Sequence, residues 1–278
     1  MSTQTQSRMA CAFDAVPIAY TISGAGSVAL VFLHGGLADR TFWNGQHSAF
    51  SDRFAVVAPD LAGHGESGAR TAWGLRECAK DVVAVIEAER LERVILIGNS
   101  LGGAVALETA ALIGGRALGV IGVDTFHDLN PHIDGAAARE LAERWRRDFS
   151  GALQEMIRKL FHPDAPAEVV SDVEHRMSKT SVDTVCAVFL SFGDYDMRVP
   201  ARQLRAPLRC INGDLWPVNI QGVREIVSDF EVTVLPHTGH FPMLESPDAF
   251  NRALSAMVSL WRQPDKLPES YTPTSGAR

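Results

Sequence analysis

The sequence is poor in cysteine. Cys11, Cys78, Cys186 and Cys210 are the only four among 278 residues, and no two stand in a CxxC pair. That excludes a disulfide scaffold and a thiolate zinc site. Three of the four sit in apolar runs and read as free buried thiols. An excess of positive charge is also missing: 26 Lys and Arg stand against 33 Asp and Glu, a net charge of −7. A general nucleic-acid binder is therefore not expected. No apolar run is long enough to span a membrane, and residues 1–6 are rich in Ser, Thr and Gln with no apolar stretch behind a basic start. No secretory signal or membrane anchor is expected, and a cytoplasmic location is the default. Charged residues make up 21% and apolar ones 46% of the chain, which excludes global disorder and leaves room for a sizeable core. The length suits one large domain, or one domain with an insertion. No internal repeat is evident.

What is present is a rhythm of short apolar runs and helical stretches. Runs at 28–33, 54–58, 94–97 and 118–123 lack polar alternation and read as strands buried on both faces, as in a parallel sheet. Residues 16–22 form a further strand candidate, and 42–50 a short helix. Between the runs, Leu75, Cys78, Ala79, Val82, Val83 and Ile86 mark one face of a helix near 73–90. From 127 to 200 the rhythm changes to helical periodicity alone, which predicts an insertion of three or four helices. Strands at 207–211 and 231–235 then resume, with a helix at 220–227 between them. Ser246, Pro247 and Asp248 start a last helix. The expected fold is α/β, a mostly parallel sheet flanked by helices. Its core comprises 10–126 and 201–263, the helical insertion at 127–200 acts as a lid, and 1–9 and 264–278 are loose tails.

The run at 94–97 ends in Gly98-Asn99-Ser100-Leu101-Gly102-Gly103 and passes directly into helix formers. A tight turn of this kind exposes one hydroxyl at a helix N-terminus, where backbone N–H groups favour developing negative charge. A serine hydroxyl needs a base to take its proton during attack, and histidine suits that task best. Of nine histidines, His240 sits between the last strand and the last helix beside Gly239, and is the candidate base. His34 and His64 read as structural, and His127 as a residue able to line a pocket. His47, His132, His162, His175 and His237 receive no role. A tetrahedral intermediate needs two N–H donors. Leu101 is one, and Gly36 in the glycine turn after the run at 28–33 is the other, with Leu37 as the alternative.

These segments together resemble the α/β-hydrolase superfamily in its capped form. The residues that carry the resemblance are His34-Gly35-Gly36, Asp60 with Gly63-His64-Gly65 and Ser67, the Gly98–Gly103 turn, and Gly239-His240-Phe241-Pro242, in the superfamily's order over about 13–262. The resemblance implies Ser100 as nucleophile and His240 as general base, with no metal or organic cofactor. The acid departs from the usual pattern. Most members carry it on a loop reading Gly-x-x-Asp after the next-to-last strand, but this chain has Gly213-Asp214-Leu215-Trp216, with Trp216 at the expected place. A minority carry it at the end of the strand after the nucleophile helix, where Asp124 lies 24 residues beyond Ser100. Asp124 is preferred and Asp214 is the alternative. A serine nucleophile disfavours haloalkane dehalogenases and epoxide hydrolases, which need an aspartate.

The aromatic set Trp43, Phe126, Trp145, Phe161, Phe189, Trp216 and Phe241, with His127, suggests an apolar pocket. The expected reaction is hydrolysis of a carboxylic ester or lactone of a fairly apolar small molecule through an acyl-enzyme. A carbon–carbon bond hydrolase acting on a diketone-type substrate, a small-molecule receptor that retains the triad, and a cofactor-free perhydrolase or haloperoxidase are the competing readings. The partner is a small-molecule substrate, with neither nucleic acid nor membrane, and a homodimer is left open.

Overall fold

The computed structural model describes residues 4–130 and 133–261. The tail expected at 264–278 and His132 lie outside the described residues. Eight strands are described: β1 (Gln6–Cys11), β2 (Pro17–Ser23), β3 (Ala29–Leu33), β4 (Ala55–Pro59), β5 (Val94–Asn99), β6 (Ala117–Val123), β7 (Leu208–Gly213) and β8 (Phe230–Leu235). They form one sheet in the order β1-β2-β4-β3-β5-β6-β7-β8. Only the β1–β2 and β2–β4 pairs are antiparallel; from β4 to β8 the sheet is parallel.

The helices are α1 (Asn44–Phe50), α2 (Leu75–Ala88), α3 (Leu101–Ile113), α4 (Gly135–Arg147), α5 (Phe149–Leu160), α6 (Ala167–Met177), α7 (Val182–Ser191), α8 (Arg198–Gln203), α9 (Ile220–Arg224), α10 (Pro242–Glu245) and α11 (Pro247–Leu260). Successive strand residues point to opposite sides, so each apolar run feeds two cores at once. Val31, Leu33, Val94 and Leu96 enter one core with residues of α2, α3 and α9. Leu30, Phe32, Ile95 and Ile97 enter the other with Phe50 of α1 and Phe250, Leu254 and Val258 of α11. Burial on both faces is why these strands show no polar alternation. Nearly all of α3 is buried, as its run of Ala, Val and Leu requires. No described helix is long and apolar enough to cross a membrane.

Between β6 and β7 the chain runs through α4 to α8 without adding a strand to the sheet. Asp134, Asp148 and Ser181 accept backbone N–H groups at the starts of α4, α5 and α7 and set where those helices begin. Trp145 of α4 stacks on Phe189 of α7, with ring centroids 5.5 Å apart. The last of these helices, α8, returns to the main body, where Ala201 packs in the same core as α3.

One expectation fails at the N-terminus. Residues 6–9, placed in a loose tail, belong to β1, paired with β2 from Gln6↔Ile22 to Cys11↔Pro17. This edge strand is exposed at nearly every position. It is held by its backbone ladder and by Arg8 on Glu89 at 2.7 Å, so it carries no apolar signature.

Candidate active site

The turn from β5 to α3 is built by close contact. A Cβ at Gly98 would lie 2.1 Å from Gly102 O, and one at Gly102 would lie 2.3 Å from Leu33 O. Neither position admits a side chain, so α3 starts tight against the ends of β5 and β3. Ser100, between them, has φ +52° and ψ −116°, a conformation that costs an L-residue on the order of 1–3 kcal/mol. Gly98→Ala is expected to lower stability by about 3 kcal/mol, because the added methyl displaces the first turn of α3. A urea midpoint equal to that of the wild type would contradict this packing.

His240 stands in the loop between β8 and α10, and its Nδ1 lies 2.6 Å from Asp124 Oδ2. Asp124 follows β6 directly, is 2% exposed and has φ +45°. Its other oxygen accepts the Gly213 N–H at 3.0 Å and faces His127 Nε2 at 3.5 Å. Burial alone would raise this carboxyl. The hydrogen bonds from His127 and His240, and their charge, outweigh it and hold the group down to about 2. Asp214 goes elsewhere. Its carboxylate accepts the N–H groups of His237 at 2.9 Å and Thr238 at 3.2 Å, and these bonds lower its pKa. It is a turn aspartate at the foot of the loop that carries His240, and the geometry does not bring it to the His240 ring.

The turn after β3 lies beside the serine: a Cβ at Gly35 would sit 3.5 Å from Ser100 Cβ. Leu37 has φ +62°, and its carbonyl accepts from Thr180 Oγ1 at 3.0 Å. Val188 of α7 approaches Gly36, with Cγ1 3.4 Å from where a Cβ would be. The insertion thus packs on the loop holding Gly36 and Leu37. Leu101 opens α3, directly after the serine. His34 fixes this loop: its Nδ1 faces Gly35 O at 2.8 Å and its Nε2 accepts the Leu61 N–H at 2.9 Å. Complete burial pushes His34 down to about 4 and His64 to about 3, so both are neutral imidazoles at pH 7.

Three residues outside the expected set hold these loops together. Asn99 Nδ2 donates to Val123 O at 2.9 Å and to His240 O at 3.0 Å, joining the serine turn to the strand end before Asp124 and to the backbone of His240. Asn212 pairs with Thr125 through both its amide groups. Glu245 accepts the N–H groups of Gly239 at 2.9 Å and Phe241 at 3.0 Å, on either side of His240. The signal for the two asparagines is a polar residue at the C-terminal end of an apolar strand. Glu245, five residues past His240 in a short helix, carries no comparable signal.

The expected pocket residues divide. Trp216 is 37% exposed and meets His240 and His127 edge-on, at 5.9 and 5.8 Å. Phe241, beside His240, is 2% exposed and packs on Phe42 and Phe161, so it belongs to the core. Trp43 is not a pocket residue: it is fully buried between Phe32 at 5.0 Å and Phe250 at 6.2 Å, in the α1–α11 core. Phe126 is 3% exposed and fills the space over Gly103 and Gly122 under the serine turn, so it too is core. Trp145 is buried within the insertion against Phe149 and Phe189, and Phe189 is half-buried on its ring. Large aromatics fill cores before they line sites, and periodicity does not separate the two.

An uncharacterized protein of Mycobacterium tuberculosis is 39% identical over 93 residues, 33% of this chain and 27% of that protein. The chain thus matches about a quarter of that relative's length. A pimeloyl-[acyl-carrier protein] methyl ester esterase of Pectobacterium carotovorum is 26% identical over 250 residues, 84% of this chain and 96% of that enzyme. Among solved structures, a thermophilic esterase from Thermogutta terrifontis superposes with a TM-score of 0.80 at 24% identity, covering 93% of this chain and all of that one. That likeness shows the same fold. The family model of the alpha/beta hydrolase family matches residues 30–253. With most of its length matched, including the serine turn, the Asp124 strand end and the His240 loop, the chain belongs to the alpha/beta hydrolase family.

Proposed function

We propose that the chain hydrolyses a carboxylic ester or lactone of a fairly apolar small molecule, through an acyl-enzyme on Ser100. The observation that carries this reading is the 2.6 Å contact of His240 Nδ1 with a buried Asp124 held ionised. An ionised carboxylate accepts a hydrogen bond from Nδ1–H, which keeps the proton on Nδ1 and leaves the Nε2 lone pair free to act as a base. His240 takes the Ser100 proton as Oγ attacks the carbonyl carbon. The oxyanion rests on the N–H groups of Leu101 and Gly36, with Leu37 as the alternative donor. The His240 imidazolium then gives its proton to the leaving alkoxide, and the carbon–oxygen bond breaks. Water attacks the acyl-enzyme by the same path and restores Ser100. The bonds from Asn99 to His240 O and to Val123 O support this reading, because they tie nucleophile, base and acid loops into one unit.

Two further findings support an ester as substrate. A relative matched over 96% of its length is named as a methyl ester esterase. Trp216 stands edge-on to His240, and Val188 of the insertion packs against Gly36, which places apolar side chains next to the proposed site. A p-nitrophenyl ester series tests the reading. Uncharged short- and medium-chain acyl esters are expected to be turned over with kcat/KM at least about tenfold above an ester of equal length ending in a carboxylate, since burying an unpaired charge against apolar surface is unfavourable. Preference for the charged ester would overturn the apolar pocket.

A further inference from the structure

At the joint between the insertion and the loop carrying His240, three metal-ligating side chains converge that the reaction does not use. His162 and Asp164 follow α5, and His237 follows β8. Asp164 Oδ2 lies 2.9 Å from His237 Nδ1 and 3.5 Å from His162 Nδ1. One ligand atom from each residue lies within 4.8 Å of the other two. The two imidazole rings meet edge-on, 5.5 Å apart at 85°. His162 Nε2, on the far side of its ring, faces Asp214 Oδ1 at 4.0 Å. Asp214 is itself fixed by the N–H groups of His237 and Thr238.

We propose that His162, Asp164 and His237 bind a borderline divalent cation, Zn2+ being the best fit. Two imidazoles and one carboxylate form a donor set that suits zinc and its neighbours, whereas Mg2+ and Ca2+ favour oxygen throughout. Tetrahedral zinc with bonds near 2.0–2.1 Å places its ligand atoms about 3.3 Å apart, and the 2.9 and 3.5 Å separations bracket that spacing. Asp164 N–H donates to His162 Nδ1 at 3.1 Å. Binding turns that lone pair to the cation and leaves the exposed N–H to water. The remaining coordination positions face solvent, because the Asp164 and His237 side chains are 63% and 73% exposed.

The consequence is a clamp. Leu160 O already accepts the His240 N–H at 2.7 Å, so the end of α5 touches the loop of the candidate base. A cation shared by His162, Asp164 and His237 would tie the same two segments a second time. The proposal does not rest on the hydrolase reading, since none of its ligands belongs to the Ser100, His240 and Asp124 group.

The test is Zn2+ titrated into the chelator-treated full chain by calorimetry, with Co2+ absorption as a probe of ligand geometry. One Zn2+ per chain is expected, with a Kd in the micromolar range or tighter, a rise in Tm, and a Co2+ spectrum of low coordination number. His237→Ala and Asp164→Asn should each weaken binding at least tenfold. All of these lie at the surface, and circular dichroism checks that the variants fold. Binding unchanged in His237→Ala and Asp164→Asn would overturn the site, as would binding lost only in His240→Ala, which would place the cation at the candidate base.

Discussion

Asp124→Asn is expected to lower kcat on an ester substrate by about 10^3- to 10^4-fold, while Asp214→Asn lowers it by less than about tenfold. The two aspartates compete for the same place by sequence, and their surroundings differ. Asp124 is buried, touches His240 Nδ1 at 2.6 Å, and is held down to about 2. Asparagine there can offer Nδ2–H to the ring, which favours the tautomer with the proton on Nε2 and removes the base. Asp214 holds only the backbone N–H groups of His237 and Thr238. Asparagine retains a carbonyl oxygen for one of them.

The same pair separates in acid. The folded pKa of Asp124 lies below its ordinary 3.8, so its ionised form stabilises the fold above that pH. That contribution is lost as pH falls from about 3.8 toward about 2, and Asp124→Asn is expected to remove this part of the acid-unfolding curve. Equal losses of activity for the two variants would contradict the assignment of Asp124, and the reverse order would move the acid to Asp214.

Ser100→Ala is the second large effect. Loss of the proposed nucleophile would remove covalent catalysis, and kcat is expected to fall about 10^5- to 10^6-fold, to the remainder that binding and the proposed oxyanion donors supply. Stability should change by less than about 1 kcal/mol, because alanine at φ +52° keeps the strained turn and loses only a hydroxyl. Steady-state rates on a p-nitrophenyl ester, beside urea midpoints, separate the two quantities.

Much of this was legible in the chain itself, for physical reasons. A strand buried on both faces must be largely apolar, so β3, β4, β5 and β6 are legible as runs, and the glycines after β3 and within the turn at the end of β5 mark the C-terminal edge of the sheet. Ser100 and Asp124 follow two of these ends, whereas His240 lies beyond β8, which is exposed at three of its six positions. What stayed hidden lacks a periodic signature. β1 is an exposed edge strand held by backbone pairing, so its polar residues looked like a tail. Trp43 and Phe126 were placed in a pocket because an aromatic near a strand end serves a core or a site equally well, and only packing against Phe32 and Phe250, or over Gly103 and Gly122, decides. Glu245 acts through hydrogen bonds to the backbone N–H groups of Gly239 and Phe241, which neither composition nor periodicity encodes.

The central claim is that acyl transfer passes through Ser100. Treating the protein with a p-nitrophenyl phosphonate and mapping the modified peptide by mass spectrometry tests it most directly. One phosphonyl group per chain is expected, on Ser100, with loss of activity in step with labelling, and none on Ser100→Ala. Labelling at another residue, or full activity in a protein labelled at Ser100, would contradict it.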